Sequence, residues 1–132
     1  MEIKRMKPFL AYYEKTRQVT NKVVEVIPHN KMNWSYMSGK FTLGDLVRHI
    51  AAIEKNVFAE VAIGNKPSYK GCGKELADGY ENIVSYFNEM HFQSVEIFKL
   101  IPDESLQRKI KSLDGREIKL GNFLRALIVH EI

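Results

Sequence analysis

The sequence predicts an all-α domain built from four amphipathic helices. Apolar residues recur at spacings of three and four in the segments 6–27, 42–62, 75–100 and 120–132, as expected for helices that each bury one face. Gly, Pro and Asn residues that interrupt helices lie between the segments. The chain has 132 residues, of which 45% are hydrophobic and 27% are charged. These values are typical of one soluble domain, here residues 1–132, with its own core.

The first helix is predicted over 6–27. Pro8 fits its first turn, where the missing N–H costs no hydrogen bond, and Pro28 ends it. A connection over 28–41 contains Trp34. The apolar and small residues that define the helix lie three or four positions apart: Phe9, Tyr12, Tyr13, Thr16, Val19, Thr20, Val23 and Ile27.

The second helix, predicted over 42–62, carries the clearest signals. Thr42 is a typical N-cap residue with Asp45 three positions later, a variant of the capping box. His49 lies at the edge of the apolar stripe and Glu54 falls inside it. A titratable imidazole beside a core face, followed by a carboxylate within that face, departs from plain packing. Both residues are therefore candidates for a functional site.

The second half of the chain predicts two more helices and a turn between them. The helix over 75–100 has a nearly heptad apolar seam, includes Gly79 at a mild cost, and carries His91 beside the seam as a structural or surface histidine. Residues 106–120 alternate in polarity around Asp114 and Gly115, which favours a short β-hairpin or an extended loop. The last helix, over 120–132, carries His130 on its apolar face.

Two helix starts echo each other. The segments 41–48 and 118–125 read FTLGDLVR and IKLGNFLR. His49 lies seven residues after Thr42, and His130 lies eleven residues after Lys119. Because the difference is about one helical turn, two helices that start alike and face each other would bring the two imidazoles to a similar depth.

Composition limits the classes of partner. The net charge of +4 comes from scattered Lys and Arg residues, which gives little reason to expect a nucleic acid. Cys72 is the single cysteine, so an internal disulfide is impossible and a reducing compartment fits. No apolar run approaches the ~18 residues of a membrane span, and no signal core follows the charged start. We therefore expect a cytoplasmic protein without a membrane partner.

The motifs, in their order and spacing, carry a family resemblance. A loop with Trp34 precedes SGKFTLGDLVRHI at 38–50; Glu54, IPDESL at 101–106 and LGNFLRALIVHEI at 120–132 follow. Together they resemble the DinB/YfiT-like family of DNA-damage-inducible metalloenzymes. The resemblance implies a four-helix bundle with up-down-down-up connectivity, often a homodimer. It also implies a divalent metal held by three histidines, one from the second helix and two that lie four residues apart on the last.

Carried over by position, His49 is the first metal ligand and His130 the second. The third would be residue 134, whereas the sequence ends at Ile132; we therefore expect a chain truncated at its C-terminus. Imidazole ligands suit zinc, nickel or iron(II). The alternative from periodicity alone is that both are satisfied histidines at the edge of the core.

Glu54 has two interpretations. It can orient a metal ligand, because metal-bound histidines usually donate their other N–H. It can equally form an ion pair with Arg17, Lys15 or Lys22 of the first helix.

The resemblance implies a function. Relatives of this fold transfer a low-molecular-weight thiol such as bacillithiol, mycothiol or glutathione to electrophiles. We therefore expect a metal-dependent thiol S-transferase, or a metal-dependent hydrolase, acting on a small molecule in stress response or detoxification. The metal would activate the thiol or water, so no protein nucleophile is required. The alternative is a non-catalytic, dimeric helical-bundle stress protein with an incomplete metal site; DNA binding ranks last.

Overall fold

The computed structural model describes residues 2–132. Within them lie four helices joined by loops, 3₁₀ turns and one short hairpin, which confirms the predicted fold class. The second helix, α2, contains a π-helical segment. The bounds are α1 Met6–Glu25, α2 Leu43–Ile53 continued by the π-helical segment Glu54–Ala59 and a last turn Glu60–Ala62, α3 Tyr80–Phe98, and α4 Leu120–Glu131; 3₁₀ turns at His29–Lys31 and Asp103–Gln107; and antiparallel strands β1 Lys109–Lys111 and β2 Glu117–Lys119.

The core has two apolar clusters with buried charge beside them. The larger cluster joins α1, the end of α2 and α4, and includes Phe9, Phe58 and Leu124. The smaller cluster joins α2 and α3 and includes Ile83 and Phe87. The guanidinium of the buried Arg17 lies 4.2 Å from the Phe87 ring centroid in the smaller cluster and 6.0 Å from the Tyr13 ring centroid in the larger. The buried Arg17 therefore lies where the two clusters meet.

The capping box at the start of α2 is confirmed. The backbone N–H of Asp45 donates to the Thr42 hydroxyl oxygen at 2.9 Å, and the backbone N–H of Thr42 donates to the Asp45 carboxylate at 2.9 Å. Helix α4 begins at the matching position of the repeated motif, after Lys119, with no side-chain cap. The two starts share their position in the motif and differ in how their first N–H groups are satisfied.

Both helix starts require the glycine of the repeated motif. A Cβ on Gly44 would lie 2.9 Å from the carbonyl oxygen of Met32, and a Cβ on Gly121 would lie 3.0 Å from the carbonyl oxygen of Ile3. In each case another stretch of backbone crosses directly over the first turn of the helix. The echo therefore reflects a shared packing requirement, close backbone approach, in addition to shared helix-start chemistry.

The third helix starts later than its periodicity predicts. It begins at Tyr80, and Gly79 precedes it as the N-cap with φ +84°. That angle belongs to the left-handed region, so Gly79 cannot continue a right-handed helix from residue 75. The hairpin prediction holds: β1 pairs with β2, and Gly115, also at φ +84°, forms its turn after Asp114.

The π-helical segment Glu54–Ala59 has no signature in the sequence. Such segments are rare, occur mostly as single turns, and are frequent at functional sites. This one begins at Glu54, whose side chain is fully buried. Across residues 2–132, no helix combines the length and apolar character that crossing a bilayer requires.

Candidate metal centre

The two histidines singled out in the sequence lie side by side. His49 is on α2 and His130 is in the last turn of α4, and their Nε2 atoms are 3.2 Å apart. The ring centroids are 5.2 Å apart and the ring planes are inclined by 53°. Neither side chain is buried. Two helices that start alike thus bring their imidazoles to one partly accessible place.

Tyr69 joins this pair from the loop between α2 and α3. Its hydroxyl lies 2.7 Å from Nδ1 of His49. When His49 presents an unprotonated Nε2, its Nδ1–H donates to Tyr69, an arrangement typical of metal-binding histidines. Tyr69 was not predicted from the sequence, because loop residues carry no periodicity that would place them against a helix.

The surroundings favour neutral imidazoles. Burial lowers the pKa of His49, and the neighbouring His130 lowers it further. Burial likewise lowers the pKa of His130, against the opposing effect of the Glu131 carboxylate. Neutral imidazole is the form that binds transition metals.

The spacing of the pair fits two ligands of one metal ion. Zinc–imidazole bonds of 2.0–2.1 Å at a tetrahedral angle place two nitrogens ~3.3 Å apart, close to the 3.2 Å between the two Nε2 atoms. The same distance also fits an N–H···N hydrogen bond when one Nε2 is protonated. Among residues 2–132, no three His, Cys, Asp or Glu side chains converge on a common position. The described chain therefore offers two imidazole donors at this place.

Glu54 does not orient either histidine directly. Its carboxylate accepts hydrogen bonds from the Tyr13 hydroxyl, from Arg17 Nη2 at 3.2 Å and from His91 Nδ1 at 2.6 Å. The reason is helical geometry: five residues after His49, a side chain is rotated by roughly 140° around the helix. This corrects the expected contact between Glu54 and a metal ligand, and the ion pair with Arg17 is the interpretation that the structure supports.

Sequence reasoning also missed the role of His91. Its Nδ1 faces Glu54 and its Nε2 faces Glu14, so it links a buried carboxylate to a half-exposed one. Burial and the charge of Arg17 lower the pKa of His91, but the hydrogen bond and charge of Glu54 and the hydrogen bond to Glu14 outweigh them, so the pKa is raised. A heptad seam shows which side of α3 is buried but does not show which neighbouring side chain meets it.

A histidine pair held between the second and last helices of a four-helix domain defines the class: a helical domain with a candidate metal site. The family model of the DinB superfamily matches residues 12–132, so the chain belongs to that superfamily and the resemblance of its motifs is confirmed. A crystal structure of a DinB-like protein from Bacillus cereus ATCC 10987 is similar, with a TM-score of 0.79 over 98% of this chain and 85% of that chain. Because the identity is 17%, the likeness shows the fold alone. No curated protein sequence matches the chain.

Proposed function

We propose that this protein is a divalent-metal-dependent enzyme of the DinB superfamily in which His49 and His130 bind the metal. The observation that carries the proposal is the 3.2 Å separation of the two Nε2 atoms, which come from different helices. The hydrogen bond between Tyr69 and Nδ1 of His49 supports it, since it orients the ring for binding through Nε2. Zinc, nickel and iron(II) suit such donors.

The proposed reaction is transfer of a low-molecular-weight thiol, of the bacillithiol, mycothiol or glutathione type, to an electrophilic small molecule, with hydrolysis as the variant in which water replaces the thiol. A bound metal would lower the pKa of a coordinated thiol or water and so supply a nucleophile at neutral pH. The protein groups bind and orient: His49 and His130 hold the ion, and Tyr69 holds His49. Both imidazoles are partly accessible, which leaves room for a small substrate.

Metal titration of purified protein tests the metal site. We expect wild-type protein to bind about one equivalent of Zn²⁺ or Ni²⁺ per chain by calorimetry, and His49→Ala and His130→Ala each to weaken binding by at least about tenfold. The matched control is His29→Ala, because His29 is an exposed histidine that stacks on Tyr80 elsewhere in the domain. Equal loss in the His29 variant, or no binding by the wild type, would contradict the proposal.

Turnover assays test the reaction. Metal-loaded wild type is mixed with each thiol and a chromogenic electrophile, and product formation is compared with that of His49→Ala. We expect metal-dependent turnover with one of the thiols, abolished in the variant. Stoichiometric metal binding without turnover on any thiol or ester substrate would exclude the enzyme and retain the metal site.

The second candidate function is a non-catalytic helical-bundle stress protein. The donor set favours it, because only two imidazoles converge among the described residues. It predicts weak or absent metal binding that is insensitive to His49→Ala, so the titration above separates the two candidates.

A further inference from the structure

Arg17 contacts both helices that carry the histidine pair. It lies on α1 with its side chain 2% exposed. Its Nε and Nη2 donate to the two carboxylate oxygens of Glu131 on α4, at 2.8 and 3.1 Å. Its Nη2 also donates to Glu54 at 3.2 Å. One guanidinium therefore bridges α2 and α4 from the side of α1.

The two carboxylates are closely connected to the histidines along the chain. Glu131 follows His130 directly, and Glu54 lies about one and a half turns after His49. Paired N–H donors from a guanidinium fix the direction as well as the distance of a carboxylate. The Phe87 ring, 4.2 Å from the guanidinium carbon, packs against the face of the guanidinium. The group thus has little freedom to move, and the carboxylates bound to it are held with it.

We propose that Arg17 is a positioning residue for the histidine pair. By tying α2 to α4 through Glu54 and Glu131, it holds the imidazole of His130 against that of His49, although it touches neither ring. The inference rests on the proposed function to the extent that the pair is taken as the metal site. Lysine cannot replace Arg17 in this role, because an ammonium group lacks the planar fork that engages both oxygens of Glu131.

A purely structural role is the competing explanation. Arg17 compensates the charge of Glu54, whose side chain is fully buried, and loss of that compensation would destabilise the fold wherever the histidines lie. The two roles differ in what they predict for a folded variant. A structural role lowers stability alone, whereas a positioning role also changes the spacing of the two imidazoles.

The experiment uses Arg17→Lys and Glu131→Gln, with Val24→Ala as the matched control. Val24 is a buried residue of the same helix α1, so its truncation lowers stability without touching the charges. The first readout, in metal-free protein, is the nuclear Overhauser effect between the ring protons of His49 and His130. The second is Zn²⁺ affinity. We expect the Overhauser effect to weaken and the affinity to fall about 10–100-fold in the first two variants, with both unchanged in Val24→Ala.

The outcomes separate the two proposals. An Overhauser effect that survives in Arg17→Lys and Glu131→Gln, while stability falls as in Val24→Ala, overturns the positioning role. An Overhauser effect lost in the variants, with no zinc bound even by the wild type, supports the positioning role and contradicts the metal site. Glu131→Gln preserves the shape of the side chain in the last turn of α4, so it provides the measurement if Arg17→Lys does not fold.

Discussion

At the scale of single residues, the distinctive feature is a connected set of buried charges. Arg17 and Glu54 are 2% and 0% exposed, and charged residues are almost never so buried unless they are paired. The Glu54 carboxylate accepts hydrogen bonds from Tyr13, Arg17 and His91. Arg17 also donates a hydrogen bond to Glu131. Removing one member leaves another buried charge without compensation, so we expect each to matter more than a surface ion pair does.

His91 gives this set a dependence on pH. Its neighbours are the carboxylates of Glu54 and Glu14, the guanidinium of Arg17, and the Tyr13 ring. Because the pKa of His91 is raised in the folded protein above its ordinary value of 6.5, its contribution to stability is complete below pH 6.5. The contribution is lost as the pH rises through the raised pKa.

The first prediction concerns His91→Gln. At pH 6 the variant should be less stable than wild type by about 1.5–3 kcal/mol, the range for hydrogen bonds to charged groups, and the difference should shrink as the pH rises above 6.5. The measurement is the free energy of unfolding in urea from pH 5.5 to 9. The lowered pKa values of His49 and His130 make stability rise with pH, the opposite of the effect of His91. Wild type and variant share this contribution, so it cancels in the difference between them.

The control for this prediction is His29→Gln. The His29 ring stacks on Tyr80 and lies outside the buried charge network, so its replacement should leave the pH profile parallel to that of wild type. A difference between wild type and His91→Gln that stays constant from pH 5.5 to 9 would show that the protonation of His91 does not contribute.

The place of a side chain is predictable from the sequence where its position on its own helix determines what it faces. The edge position of His49 and the inward position of Glu54 follow from helical spacing alone. The contacts of His91 and Tyr69 do not, because they depend on how α3 and a loop pass α2. Such contacts are set by tertiary packing, which periodicity does not encode.

At the scale of elements, some helix ends follow from local sequence and others depend on features that the apolar pattern does not contain. The capping box of α2 is local chemistry and was predictable. The late start of α3 at Tyr80 depends on the left-handed Gly79, whose conformation the apolar pattern cannot reveal. The π-helical segment that begins at Glu54 likewise has no counterpart in the apolar pattern.

The second prediction uses the repeated helix start. Thr42→Ala should lower the free energy of unfolding by about 1 kcal/mol, because the Thr42 oxygen satisfies the Asp45 N–H at 2.9 Å. Lys119→Ala, at the matching position before α4, is the control: Lys119 makes no side-chain cap, so the change should stay within about 0.5 kcal/mol. Urea unfolding measures both, and equal losses would show that the cap contributes nothing specific.

At the scale of the whole molecule, one face of α1 stays exposed to solvent within the described residues 2–132. Phe9, Tyr13 and Val24 face the core, whereas Val19, Val23 and Val26 are 64%, 59% and 76% exposed. These three valines are spaced four and three residues apart, so they form a row that suits packing against another helix. Exposed apolar residues in such a row are typical of an interaction surface. They suit the homodimer that the sequence resemblance implies.

The last prediction tests that association. In a two-fold dimer each copy presents the same surface, so a charge added to α1 is added twice to one interface and repels itself. We expect wild-type protein to behave as a dimer in size-exclusion chromatography with light scattering, and Val19→Lys/Val23→Lys to behave as a folded monomer of half that mass. Leu100→Lys is the matched control, since Leu100 is a 79% exposed apolar residue just after α3, and it should leave the dimer intact. A monomeric wild type would contradict the expected dimer, and a dimer that survives the paired lysines would place the interface elsewhere on the molecule.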